Sequence, residues 1–239
     1  MTGLGQIWVY LAASPLTWLA VTLLAYVVAL RLAALLGNSP LANSVLISAT
    51  LVILVLLATG ISYPTYFEGA QFVHFLLGPA TVSLAVPLFR NLAAVRRSLL
   101  PIVVALVAGS LTAMGSAVAI AWAFGAPLEV LASIAPKSVS APIAMELAKS
   151  LGGIPSLAAV LVILTGITGA VVVTPLMDAL QIKNYAARGF AVGLTSHGIG
   201  TARALQVSDI GGAFSGIAMA LNGAFTSLLI VGLLALGWG

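Results

Sequence analysis

Ser196-His197-Gly198-Ile199-Gly200-Thr201-Ala202-Arg203 is the stretch on which the reading of this chain turns. It sets an imidazole, a guanidinium, two hydroxyls and two glycines into a protein that is 62% hydrophobic and only 6% charged. Mean hydropathy is +1.21. In such a background an ionisable group at membrane depth costs several kcal/mol and marks a functional site. The glycines Gly198 and Gly200 predict a backbone interruption there. A broken helix carrying cationic side chains within the bilayer is one way that carriers build a site for an anion.

Around this stretch, apolar runs recur that are long enough to cross about 30 Å of hydrocarbon as helices. None alternates with a period of two, which excludes a barrel of strands. The fold class is an all-α polytopic membrane protein of seven or eight transmembrane helices, built as an inverted repeat with two broken helices. Spans are expected at 16–36, 41–58, 72–89, 99–124, 154–174, 186–205 and 210–238. The segment 137–151 lies between Pro136 and Gly152-Gly153 and is short for a crossing at about 1.5 Å per residue. If it does not cross there are seven spans; if it does, eight. Residues 7–11, with Trp8 and Tyr10, read as an interfacial helix rather than a cleaved signal.

Arg90, Arg96 and Arg97 place their loop in the cytoplasm by the positive-inside rule, and so put the N-terminus outside. A weak internal repeat pairs Leu51-Val52-Ile53-Leu54 with Leu161-Val162-Ile163-Leu164, Glu68 with Asp178, and Gln71 with Gln181. It divides a single domain over 1–239 into halves at 15–97 and 101–205, closed by a helix at 210–238. With no cysteine, disulfides and thiolate chemistry are excluded. The net charge of +4 is spread over loops, which argues against nucleic acid.

Three segments carry the candidate chemistry. In the first, Gly78 and Pro79 break a helix and Thr81 can satisfy the freed backbone; a plain proline kink is the other reading. In the second, Lys137 and Ser138 precede a helix start, with Ser138 or Ser140 as N-cap and Pro142 in the first turn. That arrangement offers an anion free amides and a full positive charge, or simply a lysine that snorkels to an interface. Glu146 and Lys149 on the same helix read as a local ion pair. In the third, Arg203 supplies a bidentate fork for a carboxylate, Ser196 and Thr201 supply hydroxyls, and His197 is either a titrating donor or a satisfied core histidine. The other reading pairs Arg203 with Asp209 or a lipid headgroup. No enzyme is indicated: Ser196 and His197 are adjacent in sequence, which does not aim both side chains at one reacting atom.

Six segments together resemble the LrgB/CidB family. They are Tyr66-Phe67-Glu68-Gly69; Leu77-Gly78-Pro79-Ala80-Thr81 leading to Ala85-Val86-Pro87-Leu88; Pro136-Lys137-Ser138-Val139 with Pro142-Ile143-Ala144-Met145; Gly152-Gly153-Ile154-Pro155-Ser156; Ala187-Arg188-Gly189; and Ser196-His197 with Gly200-Thr201-Ala202-Arg203. They follow the family's order. The chain departs from it at Ser140-Ala141, where two threonines are usual, and at Gly198, where alanine is common. The resemblance implies a bacterial inner-membrane protein, often encoded beside a holin-like LrgA or CidA partner and described as an antiholin-like effector of murein hydrolase activity. It also implies kinship with a plastid glycolate/glycerate translocator and with systems linked to pyruvate uptake.

The expected function is therefore secondary, proton-coupled transport of a small monocarboxylate of the glycolate, glycerate, lactate or pyruvate kind. Thr81, Lys137, Ser138, Ser196, His197, Thr201 and Arg203 are the expected binding residues, and Arg203→Ala is expected to abolish uptake. The alternative is a non-transporting regulator acting with a separate holin-like membrane protein through small-residue faces such as Gly109 with Ala113. The other expected partner is the lipid bilayer, with homo-oligomerisation left open. No cofactor and no metal are expected.

Overall fold

A computed structural model of the chain describes residues 11–12, 14–37, 42, 44–76, 79 and 89–236. Among these residues ten helices fall into two compact units, Met1–Ser83 and Leu84–Gly239. The interfacial helix expected at 7–11 lies almost wholly outside the described residues, as do Gly78 and Thr81 of the first expected break, of which only Pro79 is described.

The first unit contains α1 (Pro15–Leu35), α2 (Ser44–Thr59) and α3 (Tyr63–Phe75), with α1 packed against both others. Helix α1 opens on Pro15, whose missing N–H is no loss in a first turn. Trp18 is fully buried; its indole N–H donates to the Ala12 carbonyl at 2.9 Å, and its ring meets Tyr66 edge-on. Thr22 donates to the Tyr66 hydroxyl at 3.1 Å. Helix α3 forms largely from the polar stretch around Tyr63-Pro64 and Glu68, because the Ser62 side chain accepts the Thr65 amide and Pro64 suits the first turn; most of the span expected at 72–89 lies outside the described residues.

The second unit runs α4 (Leu92–Arg97), α5 (Leu99–Ala123), α6 (Leu128–Ile134), α7 (Ala141–Ser150), α8 (Pro155–Ala179), α9 (Tyr185–Val207) and α10 (Asp209–Ala235). The basic stretch at 90–97 is thus partly helical, and α6 is a helix that the hydropathy pattern does not show. Helix α7 starts after Ser140 with Pro142 in its first turn, as the sequence indicates. Its ten residues rise about 15 Å, half of what a crossing needs. Glu146 and Lys149 do not pair: among the described residues the one ion pair is Arg188 with Asp178.

Among the described residues four helices, α1, α5, α8 and α10, are long and apolar enough to cross a membrane. The chain is therefore an all-helical, polytopic membrane protein. Helix α9 packs along α8 on one side and α10 on the other. A Cβ at Gly189 or Gly193 would collide with the carbonyls of Gly211 and Ser215, so the α9 and α10 backbones lie in direct contact. One apolar cluster joins Ile102 and Leu106 of α5 to Phe190 and Leu194 of α9 and Phe214 of α10. A second joins Val139, Ala144 and Leu147 to Ala158 and Val162 of α8 and Ile230 of α10. The first cluster holds the N-terminal half of α9 between α5 and α10, and the second ties α7 and the turn before it to α8 and α10.

Candidate functional site

The long helices of the second unit carry polar side chains at or beside their midpoints. Ser196 is the middle residue of α9, and Asn222 is the middle residue of α10. Ser110 lies one residue from the middle of α5, and Thr165 and Thr168 flank the middle of α8. Helices that pack side by side bring these groups to a common level. Ser110, Ser196 and Asn222 are all buried.

At this level α9 breaks. His197 has φ 42° and ψ −133°, a left-handed conformation inside an otherwise helical run. A non-glycine residue there costs roughly 1–3 kcal/mol and persists only where its surroundings over-determine it. They do. His197 Nε2 donates to the Val162 carbonyl of α8 at 2.8 Å, and because a carbonyl only accepts, the bond assigns the ring proton to Nε2. The ring occupies space that Gly166 leaves open, where a Cβ would lie 2.7 Å from Cε1. The Thr201 hydroxyl donates to the His197 carbonyl at 2.8 Å and pairs with Ser215 of α10 at 2.9 Å. The break therefore falls one residue before Gly198, which with Gly200 belongs to the second helical half. Gly200 serves close packing instead, since a Cβ there would strike Val192 and Ser196.

The residue before the break turns toward α8. A Cβ on Gly169 would overlap the Ser196 hydroxyl, so the glycine makes room for it. Here lies a cavity of about 380 Å³ whose wall includes Lys137, Thr165, Thr168, Gly169, Thr195 and Ser196. Leu161, Leu164 and Val172 line the rest. The cavity thus brings together two of the expected residues, Lys137 and Ser196, with three threonines that inspection of the motifs passed over. Thr195 and Ser196 hydroxyls pair at 3.2 Å, and Thr195 also donates to the Ala191 carbonyl. Half-buried Lys137 donates to Ser138 Oγ at 3.3 Å and has no carboxylate partner among the described residues. An ammonium has three donors and one full charge, so this cation is left with unmet capacity for an anion.

The remaining expected residues are placed elsewhere. Ser138 adjoins Lys137 and is buried, while His197 and Thr201 are committed to bonds that hold the break. Ser196 bonds to Thr195 and His197 to Val162, so the two do not form a nucleophile and its base. Arg203, near the C-terminal end of α9, lines a different cavity of about 30 Å³ together with Tyr185 and Arg188 from the first turn of the same helix. Its Nη1 donates to Gln206 at 3.3 Å rather than pairing with Asp209, and its Nε is buried without an acceptor. Among the described residues no group of three or more His, Cys, Asp or Glu side chains is placed to hold a metal ion.

Asn222 is the main residue that motif reading missed. Its Nδ2 donates at 3.0 Å to the carbonyls of both Ser138 and Leu194, and its Oδ1 accepts from Ser110 at 2.6 Å and Thr226 at 3.3 Å. The available signal was an asparagine in the middle of an apolar 27-residue helix.

Residues 22–236 match the model of the LrgB-like family. The chain is 33% identical over 195 residues to YxaC of Bacillus subtilis (strain 168), covering 80% of this chain and 85% of that protein. It is 32% identical to the holin-like protein CidB of Staphylococcus epidermidis, covering 81% and 84%, and 31% identical to that of Staphylococcus aureus (strain N315), covering 80% and 84%. No solved structure matches the chain. This multi-pass membrane protein belongs to the LrgB-like family.

Proposed function

We propose that this protein is a carrier of small monocarboxylates and that the cavity at Lys137 is its substrate site. The observation that carries this reading is Lys137 itself: a cation with no carboxylate partner among the described residues, on a cavity of about 380 Å³ at the mid-length of α8 and α9. One ammonium matches one carboxylate. The hydroxyls of Thr165, Thr168, Thr195 and Ser196 suit a hydroxyl or keto oxygen on the adjacent carbon, and the leucines and Val172 suit a short carbon chain. Glycolate, glycerate, lactate and pyruvate share that chemistry. Arg203 is separated from this cavity, so the proposed site rests on Lys137 and Ser196, with Ser138, His197 and Thr201 holding its walls. Proton coupling, an inner-membrane location and an outside N-terminus belong to the same proposal. So does the inverted repeat, which is supported by a shared local pattern: Gln71 and Gln181 each donate to the carbonyl three residues before, that of Glu68 and that of Asp178.

A second reading is an antiholin-like regulator of murein hydrolase activity that acts with a separate holin-like membrane partner. The comparisons favour it more directly than transport, because the staphylococcal relatives are named holin-like proteins. It gives no use for an uncompensated lysine on a mid-helix cavity. The deciding experiment is uptake of labelled glycolate, glycerate and pyruvate into liposomes holding the purified chain, under an imposed pH gradient. Saturable uptake lost in Lys137→Met establishes the carrier. Uptake that requires a co-reconstituted holin-like protein makes the chain one half of a carrier. A folded chain with no uptake in either case leaves the regulator.

A further inference from the structure

The two polar walls of the cavity come from distant parts of the chain, and neither is regular helix where it matters. Lys137 and Ser138 lie in the turns before α7, and Thr195 and Ser196 lie at the break of α9. Interruptions of this kind release main-chain carbonyls from their usual amide four residues on. The Leu194 carbonyl lies three residues before the His197 break and accepts from Asn222 Nδ2, and the carbonyl of Ser138 accepts from the same nitrogen, each at 3.0 Å. With Ser110 and Thr226 donating to Oδ1, all four hydrogen-bonding positions of the amide are used. At 1% exposure no water competes for them. Rotating the amide would turn its oxygen toward two carbonyls, so its orientation is fixed.

We infer that Asn222 is the positioning residue of the carboxylate site. It does not line the cavity. Its Nδ2 clamps the residue next to Lys137 and the residue two before Ser196 to one point, and so sets the spacing between the cation and the hydroxyls that a bound carboxylate must bridge. The inference rests on the proposed reading of the cavity. It goes beyond that reading by making affinity depend on a side chain of α10 that touches no ligand. Ser110 and Thr226 act on the other end of the amide, so removing either leaves both bridging bonds in place.

The test uses the absence of cysteine from the whole chain. Spin labels at Met145→Cys on α7 and Ala187→Cys on α9, both exposed, report the spacing of the two walls without any ligand. In nanodiscs, Asn222→Asp removes both donors, Asn222→Ser leaves at most one, and Thr226→Ala serves as the control. The expected result is a distance distribution that is narrow in the parent and in Thr226→Ala, broader in Asn222→Ser and broadest in Asn222→Asp. Half-saturation for labelled pyruvate should rise about tenfold per bridging bond lost, while the maximal uptake rate per folded molecule changes far less. Should Asn222→Asp fail to fold, Asn222→Ser carries the comparison. A parent chain that binds pyruvate, with an Asn222→Ser variant of unchanged affinity and unchanged distances, overturns the role of Asn222 alone. A parent chain that binds no carboxylate overturns the site reading and the inference together, and the label distances then still show whether the clamp exists.

Discussion

Lys137 and Arg203 are the two cations expected in the binding site, and although neither pairs with a carboxylate among the described residues, the spaces they face differ. Lys137 faces a cavity of about 380 Å³ with four hydroxyl side chains on its wall, at the mid-length of α8 and α9. Arg203 faces about 30 Å³, space for a water or two, near the C-terminal end of α9. One side of its guanidinium is occupied by Gln206, and a second cation, Arg188, lines the same small space. Arg188 is already taken up by Asp178 and by the ring of Tyr185. A guanidinium is the better fork for a carboxylate in isolation. Position overrides that advantage: an anion bound at Arg203 would sit close to a helix end, whereas one bound at Lys137 would sit where polar side chains of several helices converge.

The sharpest way to break this contrast is to remove the lysine. Lys137→Met should raise the half-saturation for a small monocarboxylate by roughly 10–100-fold, since a hydrogen bond to a charged group is worth about 1.5–3 kcal/mol. Lys137→Arg should retain part of the affinity. Uptake assays in liposomes read both. Next is the glycine that admits Ser196 to the cavity. Gly169→Ala forces a methyl group into the Ser196 hydroxyl and should cost about 1–3 kcal/mol, seen as a lower melting temperature in detergent. Combining it with Ser196→Gly should recover part of that loss.

Third comes the break itself. In an ordinary helix alanine is more stable than glycine, but at φ 42° the order should invert, with His197→Gly more stable than His197→Ala by about 1 kcal/mol. Thermal melts of the two variants decide it, and the usual order would place the break elsewhere. Smallest is the other cation. Arg203→Gln should alter affinity by no more than about threefold, the scale of a substitution away from a binding site.

The parts of this molecule that were legible in the sequence are those governed by local chemistry. Apolar runs gave α1, α5, α8 and α10 to within a few residues at most ends, and of the two caps open for α7, Ser138 and Ser140, the helix starts after Ser140. The cluster at 196–203 pointed to the broken helix, although the glycines suggested a break slightly downstream of where it falls. At His197 the tertiary bond to Val162 and the slot left by Gly166 override backbone preference, and neither is visible along the chain. The start of α3 was hidden because Tyr63-Pro64 looks like a turn until the Ser62 cap is seen. Thr165 and Thr168 looked like ordinary threonines of an apolar span, and only the approach of Lys137 from 28 and 31 residues earlier in the chain gives them a shared cavity. Asn222 was visible as a mid-span amide, but its bonds reach residues 138, 194 and 110, which no spacing rule connects.

The most direct test is equilibrium binding of a labelled small monocarboxylate to the purified chain in nanodiscs, with Lys137→Met and Arg203→Gln measured beside it. Saturable binding that Lys137→Met weakens by roughly 10–100-fold and Arg203→Gln preserves is the expected result. Binding that survives Lys137→Met and disappears with Arg203→Gln would contradict it, and would move the anion site to the far end of α9.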